Sequence, residues 1–358
     1  MGVFKRFRFV GGRIMKTGVA VLITALICDF LDWPAMFAVI TAIVTIEPTA
    51  ADSIKKAFIR FPASALGAGF AVLFSYFLGD TPITYALVTL ATIITCTKLH
   101  LHAGTLVAVL TGVAMISTIH DEFVSSFFIR LGTTTTGLVV SSLVNLLLLP
   151  PNYSETISKK VHQLYIKTGT LLEKRGIEVI KLHPLQRETK MVFREIQAEI
   201  EQVEKLCQYQ KEEWRLHRTI RKDLRYFHYE YKKLTLLRQI LYHLGNLIHL
   251  PAKDETIPEH EEVKILTAIQ SIKNIIHHPQ FEIDDGHYSI MEGLLEDLWV
   301  EHPVIHEQSF KSIKHHFSNR KVLKYELLSI HDLLNELVSI QEQERQHFSM
   351  LRRNLKKG

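Results

Sequence analysis

Cysteine is scarce in this chain, with three in 358 residues. Cys28 and Cys96 lie in apolar stretches and Cys207 in a charged one, so neither a disulfide framework nor a Cys-based zinc site is implied, and a reducing, cytosolic side fits. The signatures of common catalytic sites are missing too: there is no P-loop, no G-x-S-x-G, no H-E-x-x-H and no dinucleotide fingerprint. No catalytic residue, cofactor or metal is therefore assigned, and the chain is read as a non-enzyme. No stretch alternates apolar and polar residues as a half-buried strand does. The net charge is only +5, and no basic groove interleaved with aromatics appears, which argues against a nucleic-acid partner.

What is present falls into two unlike parts. Residues 1–150 are nearly continuous apolar segments, whereas 151–358 are dense in Lys, Arg, Glu, Gln and His, so two domains are expected with the boundary at Pro150 and Pro151. The basic excess sits at Lys5, Arg6, Arg8, Arg13 and Lys16 and again at Lys55, Lys56 and Arg60, a placement suited to anionic lipid. Met15 to Leu31 is long for a signal core and lacks an A-x-A site, so a retained first span is expected.

Six segments are apolar enough to serve as membrane helices: about 15–31, 34–46, 62–79, 82–97, 103–119 and 127–149. The second and fourth are short, and a count of five is the alternative. With the amino end inside, the inner connections hold Lys55, Lys56, Arg60 and Lys98, and the outer ones Asp29, Asp32, Asp80, Asp121 and Glu122, with Arg130 the outer exception. Both termini are then cytoplasmic. The first domain is thus expected as a six-helix transmembrane bundle in the inner membrane of a bacterium, and the whole chain as all-α.

The stretch 47–75 organises this half. Thr49 followed by Asp52 is a capping pattern, opening a helix whose Ile54, Ala57, Phe58 and Phe61 share one side and whose Lys55, Lys56 and Arg60 lie mostly on another. Such a helix suits a membrane surface. Pro62 removes a backbone donor, so a new helix or a kink is expected there. Beyond it Ala63, Gly67, Ala71 and Ser75 form a smooth stripe for close helix contact, as do Gly104, Ala108 and Gly112 in span five. Span six carries Thr133, Thr136, Gly137, Ser141 and Asn145, polar as well as small, fit to bond across helices or to face a watery path.

Each charged candidate has two readings. Arg60 with Lys55 and Lys56 forms an anion-attracting mouth or a set of lipid anchors. Lys98, His100 and His102 couple an anion to protons, or make a plain polar loop. Asp29 and Asp32 are read as interfacial, while Glu47 beside Pro48 remains open as a proton carrier. In the second half, His277 and His278, His302 and His306, and His315 and His316 are more simply solvated or core-edge histidines than metal ligands, since Pro303 interrupts the best-spaced pair and no Cys or paired carboxylate completes a set.

The second half reads as helical throughout: about 153–181, a charged run 185–249 broken near 210–216, a loop at 251–258, then 259–277, 286–300 and 308–353. Leu323, Leu327, Leu328, Ile330, Leu334 and Leu337 make a bundle face, and an antiparallel cytosolic bundle is expected.

Six spans, the inner Glu47-Pro48-Thr49 turn, the Arg60-Phe61-Pro62-Ala63 entry to span three with Gly67, and a helical tail resemble the aromatic acid exporter family, a branch of the fusaric acid resistance superfamily. The likeness is to single-module bacterial members with a dedicated carboxy-terminal domain. It implies a homodimer that exports weak organic anions, aromatic carboxylates, with Arg60, Lys55, Lys98, Thr133, Thr136, Ser141 and Asn145 toward substrate. A channel of the same fold is the alternative, as is a membrane scaffold whose tail recruits an unidentified cytosolic partner.

Overall fold

Thr49 opens the longest helix of the apolar half: its backbone is extended and its side chain accepts from the Asp52 amide, satisfying a donor the helix itself cannot. The computed structural model describes residues 11–117, 123–148, 151–217, 221–250, 258–300 and 318–355. Among them there are helices and no strand. They form two units, Met1–Asn152 with Tyr209–Arg218, and Tyr153–Gln208 with Thr219–Gly358.

The first unit holds α1 (Gly12–Phe30), α2 (Ala35–Thr45), α3 (Ala50–Leu78), α4 (Pro82–Lys98), a 3-10 turn at His102–Gly104, α5 (Thr105–Ile116) and α6 (Phe123–Leu147). By length and composition α3 and α6 can each cross a membrane; α2, α4 and the His102–Ile116 stretch are shorter apolar helices. The expected break at Pro62 does not occur. α3 runs unbroken for 29 residues with Pro62 inside it. Contacts flank the proline on both sides, Arg60 bonding to the Ala103 carbonyl and Ser64 to Thr111, and helices packed among others tolerate an internal proline.

Missing side chains let α3 and α5 approach closely. A β-carbon on Gly67 would lie 2.1 Å from the Ala108 carbonyl oxygen, and one on Gly112 2.9 Å from the Gly67 carbonyl. Gly104 abuts Ala63 in the same way, and Gly137 of α6 lies against Ala38 of α2. Ala63 and Ala108 are sealed with Cys96, while Ala71 packs with Val88 and Met115. Leu26, Phe58, Phe77, Leu90, Leu106 and Phe128 are exposed, so the helices are apolar outside as well as in.

The second unit contains α7 (Ser154–Ile180), most of α8 (Arg187–Leu216), α9 (Arg221–Ile248), α10 (Glu259–His277), α11 (Asp285–Val300) and α12 (Asn319–Leu355). The charged run 185–249, expected to break near 210–216, is two helices, α8 ending at Leu216 and α9 beginning at Arg221. The loop at 251–257, the expected start of the last helix near 308, and His302, His306, His315 and His316 lie outside the described residues. Leu164, Leu172, Leu237, Leu244, Ile269, Ile272, Leu327 and Leu334 form its core. Burial extends to charge: Arg175 donates to the Leu247 and Leu250 carbonyls and to Glu178, and Lys233 sits between Glu230 and Glu344 at 3.0 and 2.6 Å.

Candidate functional site

The polar groups of the first unit gather in two places. One lies where α1, α3 and α6 end near the α2–α3 turn. Arg60 is 6% exposed, and its fork is fully used: Nη2 to Glu47 Oε1 at 2.7 Å, Nη1 to the Val44 carbonyl at 3.2 Å and Nε to the Ala103 carbonyl at 3.3 Å. Lys56 completes the charge balance, 3.1 Å from Glu47 Oε2 and 2.7 Å from Asp52 Oδ2. Asn145 reaches down from α6, its Nδ2 within bonding distance of the Glu47 and Thr49 carbonyls and 2.7 Å from Ser53 Oγ. Lys16 of α1 closes the network, its Nζ 2.8 Å from Asn145 Oδ1, and Arg13 donates to the Ile46 carbonyl.

The final turn of α8 belongs to this unit and caps the same end. Ala50, first residue of α3, donates its amide to Glu213 Oε1 at 2.7 Å, Thr49 Oγ1 donates to Glu212 Oε2 at 2.9 Å, and His217 Nε2 donates to the Leu146 carbonyl at 2.8 Å. Carboxylates at a helix start meet bare amides and the positive end of the helix dipole.

The other place is midway along α6. Ser64, Thr111 and Thr134 share hydroxyl contacts, Ser64 Oγ lying 3.0 Å from Thr111 and 3.4 Å from Thr134. One turn toward the amino end of α6, Arg130 is 7% exposed, and its Nε and Nη1 have no hydrogen-bond partner among the described residues. Its Cζ lies 3.5 Å from the centre of the Phe37 ring, a cation–π contact. An uncompensated buried charge costs on the order of 3–5 kcal/mol.

The structure thus brings Glu47, Arg60 and Asn145 into one network. Thr133 and Ser141 are buried and Thr136 half-buried on α6, each bonding its hydroxyl to the preceding turn. Lys55, Lys98, His100 and His102 are exposed and take no part in it. Ala63, Gly67, Ala71, Gly104 and Gly112 are buried at helix contacts. Sequence reasoning missed Lys16, Ser53, Glu212 and Glu213, whose partners are remote along the chain, and passed over Arg130, whose signal is a lone cation inside an apolar helix.

In the second unit His277 Nε2 lies 3.0 Å from the Ile166 carbonyl, and His287 is sealed between Ser271 Oγ at 2.8 Å and His331 Nδ1 at 2.9 Å. Burial, with His331 beside it, pushes His287 down to about 4, and burial lowers His331 as well. No group of three or more metal-ligating side chains occurs among the described residues.

Residues 8–148 match the model of aromatic acid exporter family member 1. Over nearly its whole length the chain is similar to UPF0421 proteins. It is 40% identical to one from Bacillus cereus over 342 residues, 96% of each chain. It is 40% identical to one from Oceanobacillus iheyensis over 92% of this chain and 95% of that one. A Staphylococcus aureus relative is 35% identical over 91% and 96%. A charged network at the end of an apolar bundle, followed by a helical tail, accords with both likenesses: the chain belongs to the UPF0421 proteins, bacterial members of the aromatic acid exporter family, and is a membrane protein.

Proposed function

We propose that this protein exports weak organic anions, aromatic carboxylates in particular, from the bacterial cytosol as a carrier. The observation that carries the reading is the buried polar face of α6, where Arg130, Thr133, Thr134, Ser141 and Asn145 are all sealed inside an otherwise apolar bundle. Polar side chains so placed are costly in a membrane and mark substrate paths. The match to an exporter family over residues 8–148 supports it.

In this reading all six helices cross, with α2 and α5 short enough to need a thinned bilayer. Arg13, Lys16, Lys55, Lys56, Arg60 and Lys98 mark the cytoplasmic side and Asp29, Asp32 and Asp80 the outer side, and two copies assemble as a homodimer. An anion leaving down an inside-negative potential gains about 2.3 kcal/mol per charge per 100 mV, so no nucleotide is needed.

Counterflow in proteoliposomes with labelled 4-hydroxybenzoate and a panel of unlabelled acids tests this. Saturable exchange that speeds up when a potassium-diffusion potential favours anion exit is expected. No exchange with any acid, from monodisperse protein, overturns the reading.

A further inference from the structure

Among the described residues of the first unit, no carboxylate pairs with the buried Arg130. Arg60 has Glu47 and two carbonyls, Lys56 has Glu47 and Asp52, and Lys16 has Asn145. Arg130 has the face of Phe37 for its guanidinium plane and nothing for Nε and Nη1, which are buried beyond reach of water. By the helical rise it stands about 10 Å inside α6, beyond easy escape to either surface.

The ring covers the face of the cation and leaves its in-plane donors open. Each of those donors is open to a charge-assisted bond from its own side of the guanidinium to a carboxylate oxygen. The surroundings match the rest of such a ligand. The centre of the Phe37 ring lies 3.5 Å from the Arg130 Cζ. Phe37 is buried, and the Ser64 and Thr134 hydroxyls border the other side. A ring, a cation and hydroxyls together suit an aromatic ring bearing one carboxylate.

We propose that Arg130 is the residue that holds the substrate carboxylate, as the counter-charge its buried guanidinium lacks, with Phe37 beside it to meet the aromatic ring. The assignment rests on the export reading above. The space bounded by Phe61, Ser64, Ala68, Arg130 and Thr134 is too small to admit a water molecule, so this conformation is the shut one. Loading requires α3 and α6 to part, and the unmet donors of Arg130 are the reason a carboxylate, once admitted, is held.

The test is equilibrium binding of labelled benzoate and of benzamide, its uncharged isostere, to the purified full chain, with counterflow measured on the same preparations. Wild type is expected to prefer benzoate by about tenfold or more, the worth of hydrogen bonds to a charged group. Arg130→Gln is expected to lose that preference and about tenfold in benzoate affinity. Monodisperse Arg130→Gln that binds benzoate as wild type does, with the preference intact, overturns the assignment and leaves the export reading standing. Wild type that exchanges no acid overturns the export reading and this assignment with it. Should Arg130→Gln not fold, Arg130→Lys carries the test, because an ammonium keeps the charge without the fork. A loss of about threefold or more is expected there, and an unchanged affinity and preference overturns the assignment.

Discussion

Arg60 Nη2 donates to Glu47 Oε1 at 2.7 Å, and both side chains are largely shielded from solvent. The pair ties α3 to the turn that precedes it, and its members depend on one another. Arg60→Ala leaves Glu47 buried with only Lys56 and strips two carbonyls of their donor. A loss on the order of 3–5 kcal/mol is expected, read as a lower thermal midpoint and lower monodisperse yield in detergent. An unchanged midpoint would mean that the pair contributes nothing to folding.

Gly67 and Gly69 make an internal control. A β-carbon at Gly67 meets the Ala108 carbonyl oxygen at 2.1 Å, whereas at Gly69 nothing lies within 4 Å. Gly67→Ala should force α3 and α5 apart and cost about 1–3 kcal/mol. Gly69→Ala should be neutral or stabilise by up to about 1 kcal/mol. Equal midpoints for the two variants would contradict the contact.

Glu213 reaches the first amide of α3 from the end of α8. Glu213→Ala bares that amide. Hydrogen exchange of a peptide covering residues 46–54 should quicken about tenfold, in line with a lost cap of roughly 1 kcal/mol, while the middle of α3 stays protected. Exchange identical to wild type would show that Glu213 does not hold this helix start.

The His287–His331 pair sets a pH response in the second unit. Both are held below the ordinary histidine range, His287 at about 4, so the unfolded chain binds more protons than the folded one between about 6.5 and 4. Stability is then complete above about pH 6.5 and falls as pH drops through that window. Replacing both histidines with Gln should flatten the midpoint of the full chain over that range. A wild-type midpoint independent of pH there would contradict the buried, neutral pair.

Much of the helical layout is legible in local chemistry. Thr49 and Asp52 announce the start of α3, and the expected 153–181 and 259–277 fall within two residues of α7 and α10, because caps and apolar spacing act over a few residues. Pro62 misled, since its local preference for a break is outweighed by contacts on both sides of it. The end of the first charged helix near 210–216 is legible, but nothing local shows that Tyr209–Arg218 belongs to the first unit. The site resists reading for a related reason. Lys16 and Asn145 are 129 residues apart, and a hydrogen bond at that separation leaves no periodic trace. Arg60 announces itself as a cation at a helix entry, but whether its donors are free depends on where Val44 and Ala103 turn their carbonyls. For Arg130 the informative property is isolation, which is visible only once the other charges have been placed.

The unbroken course of α3 has a mechanical consequence. Twenty-nine continuous helical residues reach about 43 Å, more than the roughly 30 Å of a bilayer's hydrocarbon. In the topology proposed above, the Thr49 end of α3 stands clear of the hydrocarbon as a handle. A swing of about 5° about one tip carries the other by nearly 4 Å, more than the width of a water molecule. Ala50 and Ser64 lie on the same continuous helix, so a movement at the Thr49 end is passed along it to the side chains that border Arg130.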